Sequence, residues 1–301
     1  MSAPAHDARR GIAWAFFASS MAASFLIPWK VATRHGEPRL AVLCLLTVAA
    51  LLNTVGALAT ARRGRPAAPG HSWRVTWILA CAFALLTLLG NWASAEAVAR
   101  VSGALLAVAQ RSEVILVGIL GALFLGERVR APFWLGAALS GVGLWILQRP
   151  GSAADGDFDP VGVLYGLGSA ACFGGMVVLS RRYVTRIRLL PFNALRLWLS
   201  VLLWFVVEGR VPDAAELPPE LIASAGLAGF FGPFLSRLGA LQSAHHVPAQ
   251  MTSVVSLATP VITLGLAFLV LGNLPTTREL LGGSIMLAGI AVPVLAALRR
   301  P

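Results

Sequence analysis

Residues 101–125 form an apolar run of membrane-spanning length with Arg111 and Glu113 near its centre. At about 1.5 Å of rise per residue, Arg111 lies roughly 15 Å from Val101, near the middle of a hydrocarbon core about 30 Å thick. Each such charge costs about 2.5–3.5 kcal/mol even on the most lenient insertion scale. Something inside the protein must compensate: a water-filled path, a partner charge or a bound substrate.

The remaining sequence is of the same kind. Of 301 residues, 57% are hydrophobic and 12% charged, where a soluble domain carries roughly 25% charged residues. Apolar stretches of spanning length run approximately over 11–33, 38–61, 73–95, 101–125, 131–148, 159–180, 189–209, 219–240, 247–271 and 277–297. These are ten predicted transmembrane helices joined mostly by short loops, an all-α membrane protein with little left over for a soluble domain.

The net charge of +11 would suggest nucleic acid in a soluble protein. Here the arginines mark orientation instead, and no nucleic-acid partner is expected. With the N-terminus inside, 15 of the 24 basic residues fall on the inner side, Arg62, Arg63, Arg65, Arg181, Arg182 and Arg237 among them. Seven fall on the outer side, and Arg111 and Arg196 lie within spans. Both termini are therefore expected in the cytoplasm, in agreement with an even number of spans. One lysine against 23 arginines points to a GC-rich genome, hence a bacterium and its inner membrane. Arg9-Arg10 before an apolar run, with Ala22-Ala23-Ser24 beyond, imitates a signal peptide. The run continues to about Thr33 and nine spans follow, so a retained first helix is expected. Cys44, Cys81 and Cys172 fall in three different spans at no metal-binding spacing and read as small core residues.

The chain is written twice. Residues 91–144 lie over 237–290 without a gap: Val101 meets Val247, Leu120 meets Leu266, Leu125-Gly126 meets Leu271-Gly272, Leu135-Gly136 meets Leu281-Gly282, and Gly143 meets Gly289. Gly11 to Lys30 runs parallel to Gly162 to Arg181. The halves, 1–150 and 151–301, then hold five spans each. Five is odd, so the second half enters the membrane in the opposite sense. The expected architecture is an inverted-topology repeat, which gives alternating access around a site between the halves.

Ala122-Leu-Phe-Leu-Gly-Glu-Arg-Val129, followed by Leu135-Gly136 and Gly141-Val-Gly143, resembles the end of an EamA-type repeat. Thr259-Pro-Val-Ile262, Leu271-Gly272 and Leu281-Gly282 resemble the same segment in the second repeat. Over nearly its whole length the chain is similar to ten-helix members of the drug/metabolite transporter superfamily. The resemblance implies a polytopic carrier, usually an exporter of small metabolites, with substrate held between the third, fourth, eighth and ninth helices and their neighbours. Two positions depart from the pattern. The proline of the fourth helix is matched by Pro260 in the second half but by Val114 in the first. The glutamate after the turn is Glu127 in the first half and Asn273 in the second.

Arg111 and Glu113 are two residues apart, about 200° around a helix, so they cannot pair with each other. They are candidates for substrate binding, and Glu113 for proton coupling; the competing reading is a structural ion pair of each with another helix. Gln110 shares a face with Glu113. Asn193, Arg196 and Ser200 form a stripe at i, i+3 and i+7 in the seventh span, where Arg196 either lines a cavity or snorkels to headgroups. Thr87, Asn91 and Ser94 form a similar stripe in the third span. Trp14 with Ser20 and Ser24 in the first span, Trp92 in the third, and Gln250, Ser253 and Ser256 in the ninth complete a predicted polar and aromatic lining. Any one of these hydroxyls could instead bond its own backbone. Glu127 is expected to orient a turn or pair with Arg128 or Arg130. His245 and His246 read as interfacial.

Asp155-Gly-Asp157-Phe-Asp159 imitates the start of a calcium loop, but positions six and twelve would be Pro160 and Gly166, so calcium is rejected. No Walker-type nucleotide loop and no HExxH occurs. No cofactor or metal is expected, and no enzyme. The predicted function is secondary active export of a small organic metabolite, such as an amino acid or related compound, in exchange for protons. Arg111 suits a carboxylate and ionised Glu113 an ammonium group. The competing readings are a multidrug carrier, a flippase for a lipid-linked substrate, and an intramembrane enzyme or sensor. The expected partners are the small-molecule substrate, protons and the lipid bilayer, and the sequence leaves room for a homodimer.

Overall fold

The computed structural model describes residues 5–61, 73–98, 100, 109–148, 159–271 and 276–298. Among them every regular element is helical: α1 (Ala5–His35), α2 (Pro38–Ala61), α3 (Trp73–Val98), α4 (Glu113–Leu125), α5 (Ala131–Gln148), α6 (Pro160–Tyr183), α7 (Leu189–Glu208), α8 (Pro219–Gly229), α9 (Arg237–His246), α10 (Ala249–Ser256), α11 (Thr259–Leu271) and α12 (Thr277–Leu298). A π-helical segment, Phe230–Ser236, joins α8 to α9.

Proline and glycine set many of the boundaries. Pro160 follows the N-cap Asp159, whose side chain accepts from the Val161 amide at 2.9 Å. Pro219 and Pro248 stand at two further helix starts, where a missing N–H costs nothing. Gly126 and Gly209 close α4 and α7 at φ +64°, the left-handed turn that glycine adopts without strain.

Eight helical segments among the described residues are long and apolar enough to cross a membrane. Of the other two expected spans, 131–148 forms the shorter apolar helix Ala131–Ile146, and 101–125 is described only from Ala109 onward. Asp155, Asp157 and Asn273 also lie outside the described residues. Two expected boundaries change. The span predicted at 219–240 continues through the π segment, which contains Pro233, to His246; between Gly239 and Pro248 no proline or glycine ends it. The span predicted at 247–271 is broken into α10 and α11 at Leu257-Ala258.

Large apolar side chains such as Ile78, Leu123, Leu164, Val206 and Val207 are exposed on the outward faces. Water would penalise such a surface, and lipid does not. Inside, α2, α7 and α8 share a core of Leu45, Leu46, Leu197, Trp204 and Leu221. Helices α5 and α12 pack through small residues, a common membrane device. A Cβ on Gly143 would stand 2.5 Å from the Met286 nitrogen and 2.6 Å from the Gly282 oxygen; one on Gly136 would stand 2.5 Å from the Gly289 oxygen. Ser140 donates to the Met286 carbonyl at 3.2 Å across the same contact.

Candidate functional site

A cavity of about 320 Å³ lies inside the bundle, with walls drawn from α1, α2, α3, α4, α6, α7, α9, α10, α11 and the π segment. On α1 the wall is a small-residue stripe at helical spacing, Ala15, Ala18, Ser19 and Ala22, which leaves the space open, followed by Phe25. Ser19 also donates to the Val255 carbonyl at 3.2 Å, fixing α1 to α10.

The break between α10 and α11 explains where Arg111 goes. Leu257 and Ala258 bond back only three residues, to Val254 at 3.1 Å and Val255 at 3.0 Å. Pro260 has no N–H, so the Ser256 carbonyl four residues earlier loses its helical donor. Arg111 Nη1 donates to that carbonyl at 3.4 Å. The chain also turns at Ser112, whose amide bonds three residues back to Ala109 at 3.2 Å. Ser112 and Ala258 are equivalent positions in the 91–144 and 237–290 alignment. The first-half segment lacks the proline yet turns at the same place.

Four charged side chains line the cavity: Arg111, Glu113, Arg196 and Arg237. Glu113 feels the positive charges of both Arg111 and Arg237. Among the described residues, none of these four is in ion-pair contact. Arg196 is almost fully buried. Its guanidinium donates to Asn193 Oδ1 and, at 2.8 Å, to Thr87 Oγ1. Snorkelling is thereby replaced by a bonded position in the bundle interior. Among the described residues, Arg111 Nε is buried without a hydrogen-bond partner, and Arg237 Nη2 reaches only the Met176 sulfur, at 3.9 Å.

Arg237 was placed on the inner side by the sequence reading; the structure puts it in the cavity wall. The helix that carries it runs nine residues further, so Arg237 is no flank. One signal was available: in the repeat alignment Arg237 stands opposite Asn91, itself a predicted lining residue. Asn53 was also missed. Its Oδ1 accepts from Asn193 Nδ2 at 2.8 Å, and Asn193 Nδ2 donates in addition to the Pro233 carbonyl at 3.1 Å. Asn53, Asn193, Arg196 and Thr87 thus form one polar chain across α2, α7 and α3, anchored on the π segment. A π turn leaves backbone groups without their α-helical partners and is frequent at functional sites.

Asn91, Ser253, Arg111, Glu113 and Arg196 all line the cavity, as do Thr87 and Ser256. Ser94 accepts from Gln110 Nε2 at 2.9 Å, joining α3 to the turn before Ser112. Ser20 and Ser24 bond back along α1, to the Phe16 and Ser20 carbonyls at 3.0 Å each, and three further predicted lining residues go elsewhere. Trp14 faces a separate lateral groove of about 570 Å³ with Arg188, Pro191 and Leu238. Trp92 is exposed and packs edge-on against Tyr165. Gln250 sits in the first turn of α10, its amide 3.5 Å from the Arg128 carbonyl.

Glu127 pairs with neither Arg128 nor Arg130. Its Oε1 lies 3.6 Å from Arg181 Nε and accepts from the Ala249 amide at 3.4 Å, at the N-terminus of α10. Arg181 also donates to the Ala244 carbonyl at 2.6 Å, and Arg182 to the Phe124 carbonyl at 2.7 Å. These bonds tie α4, α6, α9 and α10 together at one end of the bundle. Burial outweighs them and raises the Glu127 carboxyl above its ordinary value; the Ala249 amide and the Arg181 charge oppose that rise.

The EamA-like transporter family matches residues 9–149 and 160–295. A protein of Bacillus subtilis (strain 168) named "Uncharacterized transporter YwfM" is 24% identical over 185 residues, covering 62% of this chain and 62% of its own length. The chain therefore spans just under two thirds of that relative. A solved crystal structure shares the fold at a TM-score of 0.79 and 19% identity, over 97% of this chain and 98% of the other. The apolar helices and the family matches describe a multi-pass membrane protein. With both family matches spanning most of its length, the chain belongs to the EamA-like transporter family.

Proposed function

We propose that this protein is a secondary active transporter of the bacterial inner membrane that exports a small organic metabolite in exchange for protons. The observation that carries the reading is the interior cavity, where Glu113 is the one carboxylate among the described wall residues and faces three arginines. A carboxylate in the cavity wall can carry a proton one way and release it as substrate binds. Arg111 and Glu113 alone suit an amino acid or a related carboxylate-bearing compound.

The reading includes ten helices, cytoplasmic termini, and two inverted five-helix repeats at 1–150 and 151–301. Several contacts support the repeat. Helices α5 and α12 meet reciprocally, Gly136 against Gly289 and Gly143 against Gly282. Helix α1 packs on α8 and α9, and α6 packs on α3. The turns at Ser112 and Ala258 fall at equivalent positions. Such pairing lets one half rock against the other around a fixed site.

The second groove, beside Trp14, is lined mainly by apolar side chains such as Phe17, Leu189, Leu190 and Leu238, which suits the lipid part of a lipid-linked substrate, so that reading is the runner-up. The test is a solute screen in sealed proteoliposomes with an imposed pH gradient. A small metabolite should cross chemically unaltered and discharge the gradient. Exclusive movement of lipid-linked substrates would favour the flippase, preferred exchange of lipophilic cations a multidrug carrier, and chemical alteration of the solute an enzyme.

A further inference from the structure

We propose that the interior cavity selects a compact solute carrying two negative charges, a dicarboxylate or a phosphate monoester, over a zwitterion. The proposal deepens the carrier reading and rests on it for turnover, though not for binding. Arg111, Arg196 and Arg237 face one cavity with a single carboxylate, Glu113. A guanidinium does not deprotonate in a protein, so the walls carry an excess of two positive charges when Glu113 is ionised.

Among the described wall residues no other carboxylate balances them. Of the other twelve acidic residues, Asp155 and Asp157 lie outside the described residues, and the rest stand in connecting segments or in the terminal turns of helices. Residues 101–108, which precede Arg111, contain none. The arginines are also under-bonded. Arg196 has only neutral acceptors, Arg237 reaches a thioether sulfur, and Arg111 Nε has no partner. An excess of buried cationic forks inside a membrane bundle is costly unless a ligand supplies the missing charge. A zwitterion would leave the excess untouched. A dianion cancels it and gives the planar donor forks oxygens to hold. The volume of about 320 Å³ limits the ligand to a small one.

The experiment measures binding of a four-carbon series to the purified full-length protein by the shift of its thermal midpoint. The probes are succinate, butyrate, 4-aminobutyrate and 1,4-diaminobutane, with glycerol phosphate as the phosphate monoester. Succinate, glycerol phosphate or both should bind at least about tenfold more tightly than the other three, as one added charged hydrogen-bonded contact implies. Which of the two binds better identifies the source of the charge. Arg237→Gln should weaken the dianion by about tenfold or more on the same grounds. Glu113→Gln should tighten it, because a repelling charge is removed. This opposite sign is not produced by general loss of structure, and it keeps the test decisive if Arg237→Gln fails to fold.

The proposal is overturned if neither dianion shifts the midpoint, if 4-aminobutyrate or diaminobutane binds as well, or if Glu113→Gln weakens dianion binding. Counterflow in proteoliposomes separates the two readings. A dianion that binds but does not exchange defeats the carrier. A zwitterion that exchanges while no dianion binds defeats only the charge selectivity.

Discussion

Pro260 and Arg111 illustrate how one residue type places another. The proline removes a donor from the Ser256 carbonyl, and the guanidinium that replaces it comes from the other half of the chain. Glu127 makes a complementary test at the edge of the bundle. Its carboxyl is raised in the folded protein, so the folded state binds the proton more readily than the unfolded chain does. Its contribution is therefore greatest below the ordinary carboxylate value and is lost as pH rises through the folded value. Thermal midpoints taken from pH 4 to 7 should show Glu127→Gln gaining on the wild type as pH rises; the wild type gaining on Glu127→Gln as pH rises would refute the assignment. The deep charges at 111 and 113 were legible in the sequence because they interrupt a long apolar run. Arg237 was not, because it lies close to a span end predicted too early, and hydropathy alone cannot tell a flank from a cavity wall. Trp14, Trp92 and Gln250 were misplaced because span membership does not fix which face of a helix turns inward.

At the scale of the element, the glycines of α5 separate packing from propensity. A methyl group on Gly143 collides with backbone of α12, which cannot move aside as a side chain could, while Gly141, two residues earlier and about 200° around the helix, has nothing within 4 Å. Gly143→Ala should cost about 1–3 kcal/mol, the usual range for overpacking, and Gly141→Ala should leave stability unchanged or raise it slightly. Denaturation midpoints of the two variants check this; equal effects would remove the close α5–α12 contact from the account. The shared Leu-Gly turn and the ordered glycines carried the repeat in the sequence, but not the contact between α5 and α12. The π segment was invisible, since its stability comes from Asn193, a distant residue, taking the Pro233 carbonyl. The break at Leu257-Ala258 was within reach through Pro260, but a membrane helix tolerates proline with or without a break, and only tertiary contacts decide.

For the whole molecule, the topology is the first consequence. Reporter fusions after Arg65 and after Asp157 should report opposite sides of the membrane, inside and outside respectively, and the same side for both would end the ten-helix scheme. In the proposed mechanism the proton and the solute share one cavity, and Glu113 is its acid. The direct measurement compares wild type with Glu113→Gln in proteoliposomes, reading solute counterflow and gradient-driven accumulation in the same vesicles. The account predicts that Glu113→Gln loses accumulation driven by the pH gradient and retains some counterflow. Accumulation at the wild-type rate in Glu113→Gln would contradict it.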